Sequence, residues 1–357
     1  MKTAVLLENQ NVKIEQQSLA PLAVDKCRVR IVNAGICSSD VERGFNKGAY
    51  FYPLIMGHEL AGKIVETGKQ VKGFKAGDRV VIFPLLPCFS CEACTREAYA
   101  QCHNYSYYGS RCHGGFAEYL DVNPWNILTL PDSVAFEDAA ATEPLSVVIH
   151  ALERTDLKNN LTKNPRVLII GAGFLGLLMV QALRIRLPAC DVTIIDHNKF
   201  KLDVATSYVN QTIALTSTAQ WEKYLTTTKE KGLFDVVVEA TGTPEAFAHS
   251  IALAKHAGKV VWMGNITNDL TLSKTLTSSV LRKELTISGT WNSSYRPGKP
   301  DDWKEALNLI EQGVRPSQLV THFVSLDEVP HTLEQLYNHK MGKTRFDCIK
   351  AMIRNAV

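Results

Sequence analysis

Val167-Leu168-Ile169-Ile170 runs without interruption into Gly171-Ala172-Gly173-Phe174-Leu175-Gly176. The apolar run reads as a strand buried on both faces, and residues 175–183 beyond the glycines read as a helix. A bare G-x-G-x-x-G is a weak signal, but a strand before it and a helix after it are the context in which it binds a dinucleotide. Gly171 permits the tight turn, Gly173 leaves the backbone bare toward a pyrophosphate, and Gly176 lets helix and strand pack closely. The helix N-terminus, with Phe174 and Leu175 in its first turn, offers free N–H groups and a partial positive charge to the phosphates. Asp196 follows a second apolar run, 191–195, and stands twenty residues beyond Gly176. A carboxylate there accepts hydrogen bonds from the adenosine ribose and repels a 2′-phosphate, so NAD is expected over NADP. Lys201, shortly after it, is a further candidate cofactor contact. The bland alternative is a glycine turn in an unrelated α/β protein, with Asp196 as a helix cap.

Outward from this loop, residues 234–239, 259–263 and 285–289 supply more apolar runs. Strands alternating with helices predict an α/β domain with a doubly wound parallel sheet. The upstream texture differs. Residues 27–34 alternate, 61–65 and 79–83 are short β-branched runs, and glycines at 57, 62, 68, 73 and 77 punctuate them as in an all-β module. After about Trp291 the pattern is mixed, with a helix near 302–312. A chain of 357 residues exceeds what one core usually organises. The expected organisation is a β-rich domain over 1–146, a nucleotide domain over 147–291 inserted into it, and a return to the first domain over 292–357. The net charge of +3, with no Lys/Arg run, argues against nucleic acid as a partner. No apolar stretch is long enough to span a bilayer, so no membrane role is expected. Residues 1–7 read as a first strand rather than a signal peptide, which makes a cytoplasmic location the expectation.

Four of the nine cysteines fall within fifteen residues: Cys88-x-x-Cys91-x-x-Cys94, then Cys102. Four thiolates can close a tetrahedral zinc shell with no open position, a structural site. Pro84, Pro87 and the lack of an apolar stripe make 84–112 a lobe that a metal would order. An iron–sulfur ligand run has similar spacing but usually continues with Pro after its last Cys, where His103 stands here. Buried free thiols are the remaining alternative. Cys37-Ser38-Ser39-Asp40 and Gly57-His58-Glu59 lie in the β-rich part, and Thr142-Glu143-Pro144 lies just before the nucleotide domain. Cys, His and Glu are all competent zinc ligands. Taken singly, Cys37 reads as a core residue, His58 as a turn residue and Glu143 as a helix cap.

The Cys37 segment, Gly57-His58-Glu59, the four-cysteine lobe, Gly115-Phe116-Ala117-Glu118-Tyr119, Glu143-Pro144 and the glycine loop follow one another in a specific order. In that order the chain resembles the zinc-dependent medium-chain dehydrogenase/reductase family, the alcohol and polyol dehydrogenases, over essentially its whole length. The resemblance implies a GroES-like β-rich catalytic domain, a Rossmann domain and an active site in the cleft between them. It implies NAD and two zinc ions per chain. One zinc would be catalytic, on Cys37, His58 and Glu143, with Glu59 as a neighbouring acid able to approach or replace a ligand. The other would be structural, on Cys88, Cys91, Cys94 and Cys102. An open position on the catalytic ion would polarise a substrate hydroxyl. Ser39 is the implied first proton-relay hydroxyl, and Asp40 the partner of the other His58 ring nitrogen. Many family members carry a histidine five residues after the Cys ligand to pass the proton outward; Glu42 stands there instead.

A glutamate as third ligand implies a polyol dehydrogenase. Tyr52-Pro53, Pro84-Leu85-Leu86-Pro87-Cys88-Phe89, Tyr108-Gly109-Ser110-Arg111 and Leu281-Arg282-Lys283-Glu284-Leu285-Thr286 are similar to the branch that oxidises sugar-alcohol phosphates. The implied partner is therefore a small polyol phosphate. Arg43 and Arg111, with Lys47, are candidate phosphate contacts, and Tyr50 and Trp291 candidate pocket walls. The alternatives are a dehydrogenase of another polyol or polyol phosphate, sorbitol- or L-iditol-like, and a non-catalytic zinc-ribbon binding protein with a vestigial nucleotide fold. The resemblance also implies a homodimer or homotetramer.

Overall fold

In the computed structural model, which describes residues 1–157 and 164–355, Arg166–Ile170 lies inside a six-stranded sheet whose neighbouring strands all run parallel. Across the sheet the order is Gln211–Ala214, Asp191–Asp196, Arg166–Ile170, Phe234–Glu239, Ala254–Trp262 and Thr286–Gly289. Central position explains the unbroken apolar runs: Val167, Leu168, Ile169, Val237 and Val238 are fully buried. Strand Thr286–Gly289 ends the sheet and is largely exposed. Helices Phe174–Arg186, Lys199–Ala205 and Pro244–Leu253 connect the strands. This unit comprises Val147–Ser293 with Gln312–Val314. Parts of the 147–291 and 292–357 segments named above lie outside the described residues.

The other compact unit comprises Met1–Ser146, Ser294–Glu311 and Arg315–Val357. Its main sheet among the described residues has seven strands. Glu59–Thr67, Cys27–Ile36 and Ala351–Arg354 lie side by side near the middle, with Tyr119–Val122 also paired to Cys27–Ile36. The alternation in 27–34 predicts one dry and one wet face, yet every residue but Arg30 in this strand is buried. Arg28 reaches Asp121 with two hydrogen bonds of 2.8 and 2.9 Å, and the Asn33 amide N–H donates to the Ile353 carbonyl, so both buried side chains have their donors engaged.

Three strand ends set the functional site. Gly35 pairs with Glu59 on one side, and Ile36 pairs with Ala351 on the other. Cys37, His58, Glu59 and Lys350 therefore emerge at one end of the sheet, although Glu59 and Lys350 are 291 residues apart in the chain. No helix among the described residues is long and apolar enough to cross a membrane.

Candidate metal centre and active site

Cys37 is the N-cap of helix Ser38–Phe45. Its backbone N–H donates to Asp40 Oδ2 at 3.0 Å, which closes the first turn. The other Asp40 oxygen faces His58 Nδ1 at 3.5 Å and Arg43 at 3.3 Å. Asp40 thus orients the His58 ring and leaves its second nitrogen for a ligand. The donor atoms of Cys37, His58 and Glu59 all lie within 4.8 Å of one another, a grouping able to hold a metal ion. Glu59 is 1% exposed, and Lys350 Nζ approaches its two carboxylate oxygens at 2.7 and 2.5 Å. A Cβ built on Gly35 would lie 1.9 Å from Glu59 Oε2, so the space that the carboxylate fills exists only because residue 35 is glycine.

Glu143 stands outside this three-residue group. It sits in the first turn of helix Thr142–Thr155, and its Oε1 accepts a hydrogen bond from Tyr107 at 3.1 Å. Burial, chiefly, and the nearby Glu59 push its carboxyl up to about 7, against the opposing pull of His58. The same neighbourhood raises the Tyr107 phenol: burial first, then Glu143. Burial pulls Lys350 down, but Glu59 and Cys37 outweigh it and the ammonium is held charged. Ser39 is half-buried two residues after Cys37. Glu42 is tied to Lys340 and, at 2.9 Å, to Asn46, and these partners outweigh its partial burial and hold it ionised.

The four thiols of the lobe converge. Sγ–Sγ separations are 3.5 Å for Cys91–Cys94 and Cys88–Cys102, 3.8 Å for Cys91–Cys102 and 3.9 Å for Cys88–Cys94. A zinc ion at about 2.3 Å from each sulfur would set tetrahedral edges of about 3.8 Å. The sulfurs fit a single ion, whereas a multi-iron cluster would hold them further apart.

In the nucleotide unit, Gly171 has φ +114°, and a Cβ there would touch Thr241 and the Ala240 carbonyl. Gly173 caps helix Phe174–Arg186 and faces open space, the bare backbone that a phosphate needs. A Cβ on Gly176 would lie 2.0 Å from the Gly171 carbonyl oxygen. Asp196 accepts the Ala172 N–H at 2.8 Å and the Asn198 N–H at 2.8 Å, so it braces the loop and keeps lone pairs for further donors. Phe174 and Leu175 are half-buried in the first turn, and Lys201 is half-buried on helix Lys199–Ala205, where its N–H caps on Asn198.

The alcohol dehydrogenase GroES-like domain matches residues 24–132, and the zinc-binding dehydrogenase domain matches 175–312. Galactitol 1-phosphate 5-dehydrogenase of Escherichia coli K12 is 33% identical over 318 residues, 89% of this chain and 90% of that one. The chain belongs to the zinc-dependent medium-chain dehydrogenase/reductase family. Sorbitol dehydrogenase of Bacillus subtilis is 28% identical over 99% of this chain and 97% of its own. The crystal structure of galactitol-1-phosphate dehydrogenase from Escherichia coli superposes with a TM-score of 0.86 at 30% identity, covering 99% and 100% of the two chains. This member of the dehydrogenase family accordingly combines a GroES-like unit with a Rossmann unit, and its cofactors are zinc and a nicotinamide dinucleotide. It acts on a small molecule as an oxidoreductase, which removes the reading as a non-catalytic zinc-ribbon protein.

Two of the expected substrate contacts have defined surroundings. Arg43 Nη1 lies 3.3 Å from Asp40 Oδ1, because three residues along a helix bring the two side chains together. Trp291 follows the edge strand Thr286–Gly289 of the nucleotide unit and is 61% exposed. Two residues of the site escaped the sequence reading. Tyr107 directly precedes the Tyr108-Gly109-Ser110-Arg111 stretch and carries no signal of its own. Lys350 is placed by strand register alone, which no local pattern encodes.

Proposed function

We propose that the chain is an NAD-dependent, zinc-dependent dehydrogenase that oxidises galactitol 1-phosphate to D-tagatose 6-phosphate. The observation that carries the chemistry is the grouping of Cys37, His58 and Glu59 donors within 4.8 Å, with the buried Glu143 carboxylate nearby. Cys37 and His58 would hold the catalytic ion together with Glu143 or Glu59, and the four lobe cysteines the structural ion. When bound, the metal supplies Lewis acidity toward the substrate hydroxyl and the dinucleotide accepts the hydride. Asp40 fixes the imidazole, Lys350 holds Glu59 in reserve, and Tyr107 holds Glu143. Ser39 takes the substrate's hydroxyl proton. Glu42 is ion-paired with Lys340, and cofactor hydroxyls or water would carry the proton outward. Gly171, Gly173, Phe174, Leu175, Gly176, Asp196 and Lys201 would bind the dinucleotide. The substrate assignment is supported by the 33% identity to an enzyme of that name, while sorbitol dehydrogenase, 28% identical over nearly the whole chain, favours a free polyol as the second reading.

A substrate panel with NAD and zinc decides between them. Galactitol 1-phosphate is expected to give the highest kcat/KM among hexitols, pentitols and their phosphates, and preference for a free polyol would reject the phosphate reading. Metal analysis should find two zincs per chain, with Cys37→Ala losing one of them together with turnover.

We further propose a homodimer joined along the Thr286–Gly289 edge. That strand lacks a partner on one side among the described residues, and Leu281, Ile287 and Trp291 are exposed around it.

A further inference from the structure

Arg111 differs from the other cations of its unit. Its guanidinium carbon lies over two rings, 4.5 Å from the centroid of Tyr50 and 4.5 Å from that of Tyr105. Its hydrogen bond is to the Tyr50 hydroxyl, at a long 3.4 Å. It has no carboxylate partner among the described residues, whereas Arg43 is paired with Asp40 and Arg28 with Asp121. Two aromatic faces restrain a guanidinium without satisfying its N–H edge, and that edge matches a phosphate in bidentate fashion.

This cluster is also tied to the metal centre. Tyr105 contacts Tyr107 edge-on at 6.3 Å, and Tyr107 contacts the His58 ring at 5.7 Å while donating to Glu143. Two aromatic rings, Tyr105 and Tyr107, therefore link the Arg111 guanidinium to the His58 ring. Its loop is fixed: the Arg111 N–H donates to the Tyr107 carbonyl at 2.9 Å, and Gly109 and Gly114 lie against the Gly57 backbone without room for a Cβ.

We infer that Arg111, packed against Tyr50 and Tyr105, is the anchor that reads the phosphomonoester of the substrate and selects it over the unphosphorylated polyol. The inference rests on the polyol phosphate reading above, and Arg111 is a specificity residue, remote from the reacting carbon.

The test compares the zinc-loaded enzyme with Arg111→Gln and Arg111→Lys. The ratio of kcat/KM for galactitol 1-phosphate to that for galactitol should fall 10- to 100-fold in Arg111→Gln. Lysine, which keeps the charge but not the fork, should restore part of it. Calorimetric titration with inorganic phosphate should show binding that Arg111→Gln weakens at least tenfold. If the wild type prefers galactitol 1-phosphate and Arg111→Gln leaves that ratio unchanged, the anchor is refuted and the substrate reading survives. If the wild type prefers galactitol but inorganic phosphate still binds in an Arg111-dependent way, the substrate reading fails and the anion site stands. Absence of both effects overturns both.

Discussion

Lys350→Met isolates the role of the buried ion pair beside the metal centre. Lys350 and Glu59 side chains are 5% and 1% exposed, and Nζ lies 2.7 Å from Oε1. Removing one partner of such a pair strands the other charge, at a cost of about 3–5 kcal/mol. That full cost applies to the metal-free protein. With zinc bound, Glu59 gains a second cation within its group, so the variant recovers part of the loss only when loaded. If about 2 kcal/mol is recovered, linkage makes zinc bind the catalytic site about 30-fold more tightly in Lys350→Met than in the wild type. Cys37 and Asp40, which also favour the charged lysine, act in the same direction. The assay is a zinc titration against a chromophoric chelator, with the four-cysteine site as internal reference. In Glu59→Gln/Lys350→Met the gain should vanish, because no stranded carboxylate remains. Unchanged or weaker zinc binding in Lys350→Met would show that the ammonium does not compete with the metal for Glu59.

Gly176→Ala places a Cβ 2.0 Å from the Gly171 oxygen, so helix and loop must separate by about 1 Å at least; overpacking of this kind costs about 1–3 kcal/mol, and a fluorescence titration should find NADH binding weakened tenfold or more. Cys88→Ser should lower metal content from two zincs to one and open the 84–112 lobe to limited proteolysis, and a variant retaining both ions would remove Cys88 from the shell. Asp196→Ala deprives the Ala172 N–H of its acceptor as well as the ribose, so both cofactors should bind more weakly while the NAD-to-NADP preference falls at least tenfold; an unmoved ratio would dismiss the ribose role. Ile287→Asp should convert a dimer to a monomer by light scattering, and an unchanged mass would move the interface elsewhere.

The chain encodes part of its fold and site locally. The run 167–170 and the three glycines after it carry their fold in adjacent residues, and the sulfurs of the lobe carry theirs in spacing. Cys37 and His58 were legible as motifs. Register was not legible. The pairing of Gly35 with Glu59 and of Ile36 with Ala351 draws Glu59 into the ligand group and delivers Lys350 from the far end of the chain. Nor was double-sided burial, which puts Arg28 and Asn33 in a dry environment where Asp121 and the Ile353 carbonyl take up their N–H groups. The Arg43–Asp40 pair, by contrast, follows from three-residue helical spacing and could have been read from the sequence.

The glycines around the centre explain why a loop, rather than a strand or helix, can carry part of its chemistry. Gly57 has φ +94°, and a Cβ on it would lie 2.3 Å from the Phe116 ring. A Cβ on Gly109 would lie 2.5 Å from the Gly57 carbonyl oxygen, and one on Gly114 2.1 Å from it. The Gly114, Gly115 and Phe116 N–H groups then donate to the Ile55, Gly57 and Met56 carbonyls at 2.8, 3.0 and 2.9 Å. Three backbones that meet without side chains between them hold His58 and the segment through Tyr107 and Arg111 as one piece. A methyl group at residue 109 or 114 would wedge that segment away from residue 57, moving the Tyr107 hydroxyl off Glu143 and Arg111 with it. Loss of metal affinity and loss of phosphate preference should therefore appear together in Gly114→Ala, although neither function involves that residue's own chemistry.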